Sequence, residues 1–124
     1  MMEKSKKTVN LNKINVAHRE ACAKHPKFCD GITNKSKDAV RKALADLRIV
    51  NAEGPYFADR ILHEEIAEAL EAYLDGDLKH CLQELAQCGA VILRMMQFID
   101  YEIEFREAEL KNPSPIYPLH KEAK

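Results

Sequence analysis

Apolar residues recur at helical spacing through the middle of the chain, and the alternation of apolar and polar residues that is typical of strands is absent. Ser36 and Asp77 are suitable N-cap residues, and Pro55 suits the first turn of a helix. Together with the breaks in the pattern, these signals predict four helices, which run approximately over Leu11–His25, residues 37–53, Pro55–Leu74 and Leu78–Lys111.

The connections between these helices are short, which favours antiparallel neighbours. We therefore expect an all-α protein, an antiparallel helical bundle of about four helices. A single helical domain covers residues 11–111, a flexible segment precedes it at residues 1–10, and a tail follows at residues 112–124. That tail contains Pro113, Pro115 and Pro118, which exclude a helix there.

The third helix carries several glutamates beside its apolar stripe. Glu64, Glu68 and Glu71 lie away from the centre of the stripe, and Glu65 lies on its border. Taken alone, this helix is consistent with a solvated acidic outer face. The stripe itself consists of Leu62, Ile66, Ala69, Leu70 and Tyr73.

The fourth helix is apolar over more than half of its circumference, so it needs cover on two sides. Its main stripe is extended on one flank by Cys81, Cys88, Val91 and Met95, and Glu84 falls inside that extension. A carboxylate in such surroundings needs a partner. The partner is either an Arg or Lys from another helix, or a metal ion shared with carboxylates of the third helix. Oxygen ligands suit Mg²⁺ or Mn²⁺. The main stripe comprises Leu78, Leu82, Leu85, Gly89, Ile92, Leu93 and Met96.

Composition narrows the class of protein. The 124 residues suffice for one domain, and the net charge of −1 argues against a nucleic-acid or anionic-membrane partner. No apolar run approaches the ~20 residues that span a bilayer, and the start lacks the apolar core of a secretion signal. A cytoplasmic location is therefore expected. Reduced thiols are expected there at Cys22, Cys29, Cys81 and Cys88.

A zinc site is an alternative use of the N-terminal segment. His18, Cys22, His25 and Cys29 are metal-binding residue types at spacings of four, three and four. On one continuous helix the first and last of them would lie ~16 Å apart, too far for one tetrahedral ion. Pro26 allows the chain to fold back, so a zinc-binding helical protein stays open, although packed cysteines and surface histidines are favoured.

The acidic residues of the third and fourth helices form a pattern that resembles a known signature. The stretch EEIAE begins at Glu64 and is followed, after fifteen residues, by ELAQ, which begins at Glu84. This pattern resembles the EExxE and ExxD motifs of the MazG-like all-α nucleoside triphosphate pyrophosphohydrolases. The resemblance covers about Ala58 to Ile99 and is to the phage and bacterial branch of the family.

The resemblance implies an enzyme that cleaves a nucleoside triphosphate between its α- and β-phosphates, with Mg²⁺ as cofactor and Mn²⁺ as a substitute. It also implies a homodimer or homotetramer that completes the bundle. Glu65, Glu68 and Glu84 would be metal ligands, and Glu64 would be a further ligand or would orient the attacking water. Gln87 stands where the family has Asp, and its oxygen can bind metal but adds no negative charge.

Phosphoryl transfer also needs positive charge near the leaving pyrophosphate. Arg94 lies two turns after Gln87 on the same face and is a candidate for binding substrate phosphate, although a salt bridge is an equally good use for it. Lys37 and Lys79 are weaker candidates. A second function stays open, namely a non-catalytic helical module that binds nucleotide or metal, or regulates, with a site degenerate at Gln87.

Overall fold

The structure, a computed structural model, describes residues 5–112. Within that range the chain forms only helices, with no strand, so the all-α fold is confirmed. No helix in this range is long and apolar enough to cross a membrane. The tail predicted for residues 112–124 lies, from residue 113 onward, outside the described residues. The helices are α1 (Lys6–Lys24), α2 (Lys37–Glu53), α3 (Ala58–Leu74) and α4 (Leu78–Lys111).

Side-chain caps set three of the four helix starts. Ser36 and Asp77 each accept a hydrogen bond from the backbone N–H three residues later, at 3.1 and 3.2 Å, as their residue types predict. Ser5 accepts the same bond at 3.1 Å. Because of that cap, α1 begins at Lys6, five residues before the predicted start at Leu11.

The prediction that Pro55 occupies the first turn of the third helix is wrong, because α3 begins at Ala58. Phe57 is extended and takes the N-cap position without a side-chain cap. The Arg60 guanidinium donates to the Pro55 carbonyl at 2.7 Å and lies 5.1 Å from the centre of the Phe57 ring. Arg60 thus holds the preceding residues against the helix in a non-helical conformation.

The helices pack in the order α2, α3, α4, α1, and α1 contacts only α4. The α3–α4 pair is a helical hairpin that turns at residues 75–77. At the other end of the row, the Asn10 amide donates to Asp100 at 2.9 Å and Lys6 pairs with Glu104 at 2.8 Å. These contacts make α1 antiparallel to the C-terminal half of α4. The result is an open row of helices, and a closed bundle is not formed within the described residues.

The core is small and lies where α2 and α4 cover opposite flanks of α3. Ala69, Ala72 and Cys81 form its buried cluster, and Val40 and Leu44 are the buried apolar residues of α2. Burial on α3 follows the predicted stripe only in part, because Ala69 of the stripe is 1% exposed but Ala67 and Ala72 beside it are also buried. Ile66, at the centre of that stripe, is 39% exposed, whereas Ala67 is buried.

The α4 helix buries its extension and leaves much of its main stripe uncovered. Cys81 and Cys88 are buried against α3, and Val91 and Met95 are half-buried. Within the main stripe, Leu82 is 70% exposed, whereas Leu93 and Met96 are half-buried. The wide apolar sector is therefore covered along the extension but only in part along the main stripe. The other large exposed residues of the stripe are Leu78, Leu85 and Ile92.

Candidate metal centre

Three carboxylates meet between α3 and α4. Oxygen atoms of Glu65, Glu68 and Glu84 all lie within 4.8 Å of one another, and the three side chains are half-buried. Glu65 and Glu68 are three residues apart on one face of α3, and the hairpin places Glu84 opposite them. This convergence is the arrangement that the sequence predicted. The interpretation that α3 carries a solvated acidic outer face is therefore wrong for Glu68.

Burial and mutual repulsion make these carboxylates harder to ionise. Desolvation is the main cause that raises the pKa of Glu65, followed by the charges of Glu84 and Glu64. Desolvation likewise raises the pKa of Glu68, with the charges of Glu65 and Glu84 acting in the same direction. The pKa of the Cys88 thiol is raised first by burial and then by the Glu65 charge. The negative charges are thus incompletely compensated by the protein.

The salt-bridge alternative requires an Arg or Lys beside Glu84. Among the described residues, no Arg or Lys pairs with Glu84. Glu84 instead lies 3.0 Å from Nε2 of His80, one turn earlier on α4. The nearest guanidinium belongs to Arg48 of α2, 3.9 Å from Glu68 and half-exposed. Neither His80 nor Arg48 is predicted from the sequence to contact the cluster. The contact between His80 and Glu84 could have been predicted from their i,i+4 spacing on one helix. The contact between Arg48 and Glu68 could not, because it depends on how α2 aligns with α3.

A buried amide holds the fourth glutamate beside the cluster. The Asn51 side chain, 8% exposed, donates to Glu64 Oε1 at 2.8 Å and to the Arg60 carbonyl at 3.2 Å. Its own oxygen is buried and has no partner among the described residues. Asn51 continues the spacing of the buried Val40 and Leu44 on α2. A polar residue on that apolar face is the signal that could have identified it.

Two predicted site residues lie on the exposed side of α4. Gln87, three residues after Glu84, is exposed, and its side chain makes no hydrogen bond within residues 5–112. Arg94 lies ten residues after Glu84, about 15 Å along the helix axis, and it lines a cavity farther along the α3–α4 pair. Within the same range Arg94 forms no ion pair, so its salt-bridge alternative is not seen. The structure does not place Arg94 at the carboxylate cluster.

The residues of the zinc alternative are not brought together. Cys22 Sγ lies 3.5 Å from His18 Nε2, but both residues and the neighbouring His25 and Cys29 are exposed. In the described part of the chain, the glutamate cluster is the one group of three or more potential ligands. All four cysteines are free thiols there. Lys37, one of the weaker phosphate candidates, is paired with Asp75 at 2.9 Å.

The oxygen-only donor set is of the kind that suits a hard divalent cation rather than zinc. Three carboxylates from two adjacent helices supply oxygen ligands only, and Gln87 could add a neutral oxygen one turn away. Their mutual repulsion would be relieved by a cation at their centre.

Comparisons with protein-family models, with curated proteins and with solved structures gave no significant match for this chain.

Proposed function

We propose that this protein is a Mg²⁺-dependent nucleoside triphosphate pyrophosphohydrolase of the MazG-like type, which releases a nucleoside monophosphate and pyrophosphate. The observation that carries the proposal is the convergence of Glu65, Glu68 and Glu84, the residues of the motif, within 4.8 Å across the α3–α4 hairpin. The cytoplasmic location and the lack of nucleic-acid or membrane partners remain predictions from the sequence.

The three carboxylates would hold the cation, and Mn²⁺ would serve in place of Mg²⁺. When bound, such an ion supplies positive charge to phosphate oxygens and lowers the pKa of water. Gln87 would contribute through its amide oxygen without adding charge. Since this residue is uncharged, the cation affinity would rest mainly on Glu65, Glu68 and Glu84.

The remaining polar residues supply positioning and proton transfer. Glu64 would accept the proton of the attacking water, and the Asn51 amide at 2.8 Å would keep its carboxylate oriented. Arg48 is the guanidinium closest to the cluster, so it would face the leaving pyrophosphate in the role expected for Arg94. Both assignments follow from the way α2 packs against α3.

A homodimer or homotetramer would cover the exposed stripe of α4. Leu78, Leu82 and Leu85 lie on successive turns of that stripe and are 63%, 70% and 46% exposed. A row of leucines on one helix face is typical of a helix that packs against another. The open row of helices leaves this face available to a second copy of the chain.

Replacement of one ligand tests the activity directly. Glu84→Ala should abolish Mg²⁺-dependent pyrophosphate release from a panel of nucleoside triphosphates, while the circular dichroism of the helices stays unchanged. Glu107→Ala, at an exposed position far along the same helix, is the matched control and should keep full activity. Pyrophosphate and orthophosphate are scored separately. Full activity of Glu84→Ala would refute the assignment.

The substitution of Asp by Gln87 favours one other function, a helical module that binds nucleotide or metal without turnover. Calorimetry with Mg²⁺ and a non-hydrolysable nucleoside triphosphate separates the two functions. Binding combined with the absence of pyrophosphate release from every substrate would support the non-catalytic module.

A further inference from the structure

An apolar cavity of about 440 Å³ lies between the start of α3 and the middle of α4. This volume is within the range of small-molecule sites in proteins. Its wall is mainly apolar and includes aromatic rings from both sides, and Arg94 provides its single charged side chain. The wall includes Tyr56, Phe57, Ile61, Val91, Arg94 and Phe98.

The cavity and the carboxylate cluster belong to one groove. Ile61 precedes Glu65 by one turn of α3, ~6 Å along the axis, and Val91 follows Glu84 by two turns of α4, ~10 Å along the axis. These spacings place the cavity residues on the same helix faces as the carboxylates. Cys88 lies between the two regions on α4, and the Glu65 charge acts on its thiol.

We infer that this cavity binds the nucleobase of the substrate, an inference that rests on the proposed function. A base in the cavity would leave its ribose to bridge the short distance to the cluster, where the phosphates need the cation. The phosphates themselves do not suit the cavity. Its wall is mainly apolar, and the single positive charge of Arg94 is too little for a triphosphate. Phe98 is 68% exposed and Phe57 is 58% exposed, so both rings are accessible for stacking.

Arg94 determines which base edge the cavity favours. Its guanidinium only donates hydrogen bonds, and no carboxylate within residues 5–112 pairs with it. A base edge with two adjacent acceptors matches that donor pair, as guanine does with O6 and N7, whereas adenine presents an amino donor beside N7. The cavity should therefore prefer guanine to adenine.

Methionine methyl NMR tests this inference without any turnover. Met95 lines the cavity, whereas its neighbour Met96 does not, so the pair provides a probe and an internal control. Titration with guanosine monophosphate should shift the Met95 methyl resonance to saturation and leave that of Met96 in place. Phe98→Ala should weaken this binding roughly tenfold through the loss of stacking. Phe28→Ala, which removes a ring that is 87% exposed in the α1–α2 loop, should not change it.

A second variant keeps the test decisive if Phe98→Ala does not fold. Arg94→Gln alters an exposed side chain and should reduce the preference for guanosine over adenosine monophosphate at Met95. The inference is overturned if Met95 does not respond, or if Phe98→Ala and Phe28→Ala bind alike. It is also overturned if Phe98→Ala changes only the oligomer mass, since the cavity would then be a subunit contact. Saturable Met95 shifts in a protein without pyrophosphate release would contradict the proposed function alone.

Discussion

Removal of one charge from the carboxylate cluster should stabilise the metal-free protein. Glu65→Gln keeps the shape of the side chain and removes its repulsion with Glu68 and Glu84, and Glu65 has no ion-pair partner among the described residues. Two unit charges 4.8 Å apart repel by about 0.9 kcal/mol in bulk water and by about 3.5 kcal/mol at an effective dielectric constant of 20. Since the side chains are half-buried and can rotate apart, we expect a gain in unfolding free energy of about 1–2 kcal/mol.

Thermal unfolding followed by circular dichroism, at pH 7 with a chelator present, measures this gain. At about 4 °C per kcal/mol for a chain of this size, Tm should rise by about 4–8 °C. Glu107→Gln, which removes an exposed charge from α4, should leave Tm within about 1 °C because surface substitutions change stability little. The same Glu65→Gln variant should lose pyrophosphate release, so stability and activity change in opposite directions.

The pH dependence of the Tm difference between Glu65→Gln and the unaltered protein tests the same repulsion independently. The folded-state pKa of Glu65 is raised above its ordinary value of 4.5, so its stabilising contribution is complete at more acidic pH and is lost as pH rises through the raised pKa. The Tm advantage of Glu65→Gln should therefore be large at pH 7 and disappear near pH 4, where Glu65 is protonated. A variant that melts below the unaltered protein at pH 7 would contradict the reasoning, as would an advantage that persists at pH 4.

Three further results are expected. Mg²⁺ at a hundred times its Kd should stabilise the unaltered protein by about 2.7 kcal/mol, measured as a Tm increase that Glu65→Gln largely lacks; an equal increase in both proteins would place the ion elsewhere. Asn51→Ala removes the donor to Glu64, so steady-state kinetics should show kcat reduced about 10- to 100-fold, in line with a hydrogen bond to a charged group worth about 1.5–3 kcal/mol, while KM changes little. Leu82→Glu should lower the oligomer mass in sedimentation because it charges the exposed stripe of α4, and an unchanged mass would exclude that stripe from the subunit contact.

Much of the fold could be predicted from local signals. Ser36 and Asp77 cap their helices through bonds to residues only three positions away, so the residue types alone gave the starts of α2 and α4. The prediction for Pro55 failed because its conformation depends on a contact with Arg60, which comes later in the chain. Proline suits the first turn of a helix in general, but this contact overrides that preference.

The residues of the candidate site also fall into two groups, those that local sequence signals identify and those whose position depends on helix packing. Glu84 could be identified from its apolar neighbours on α4, and its proximity to Glu65 follows from a short turn between two helices. Arg48 and Asn51 could not be assigned, because their positions at the site depend on the register between α2 and α3. The role expected for Arg94 rested on its position on a helix face alone and gave no weight to the distance of about 15 Å along the axis from Glu84.

Both halves of the carboxylate cluster belong to a single hairpin, and only the segment from Glu65 to Glu84 is needed to bring them together. Contacts of such short sequence separation require little loop-closure entropy and form rapidly during folding. The site should therefore assemble before α1 docks against the far half of α4. Changes in α1, in the far end of α4 or in a subunit contact can accumulate during evolution without displacing the three carboxylates.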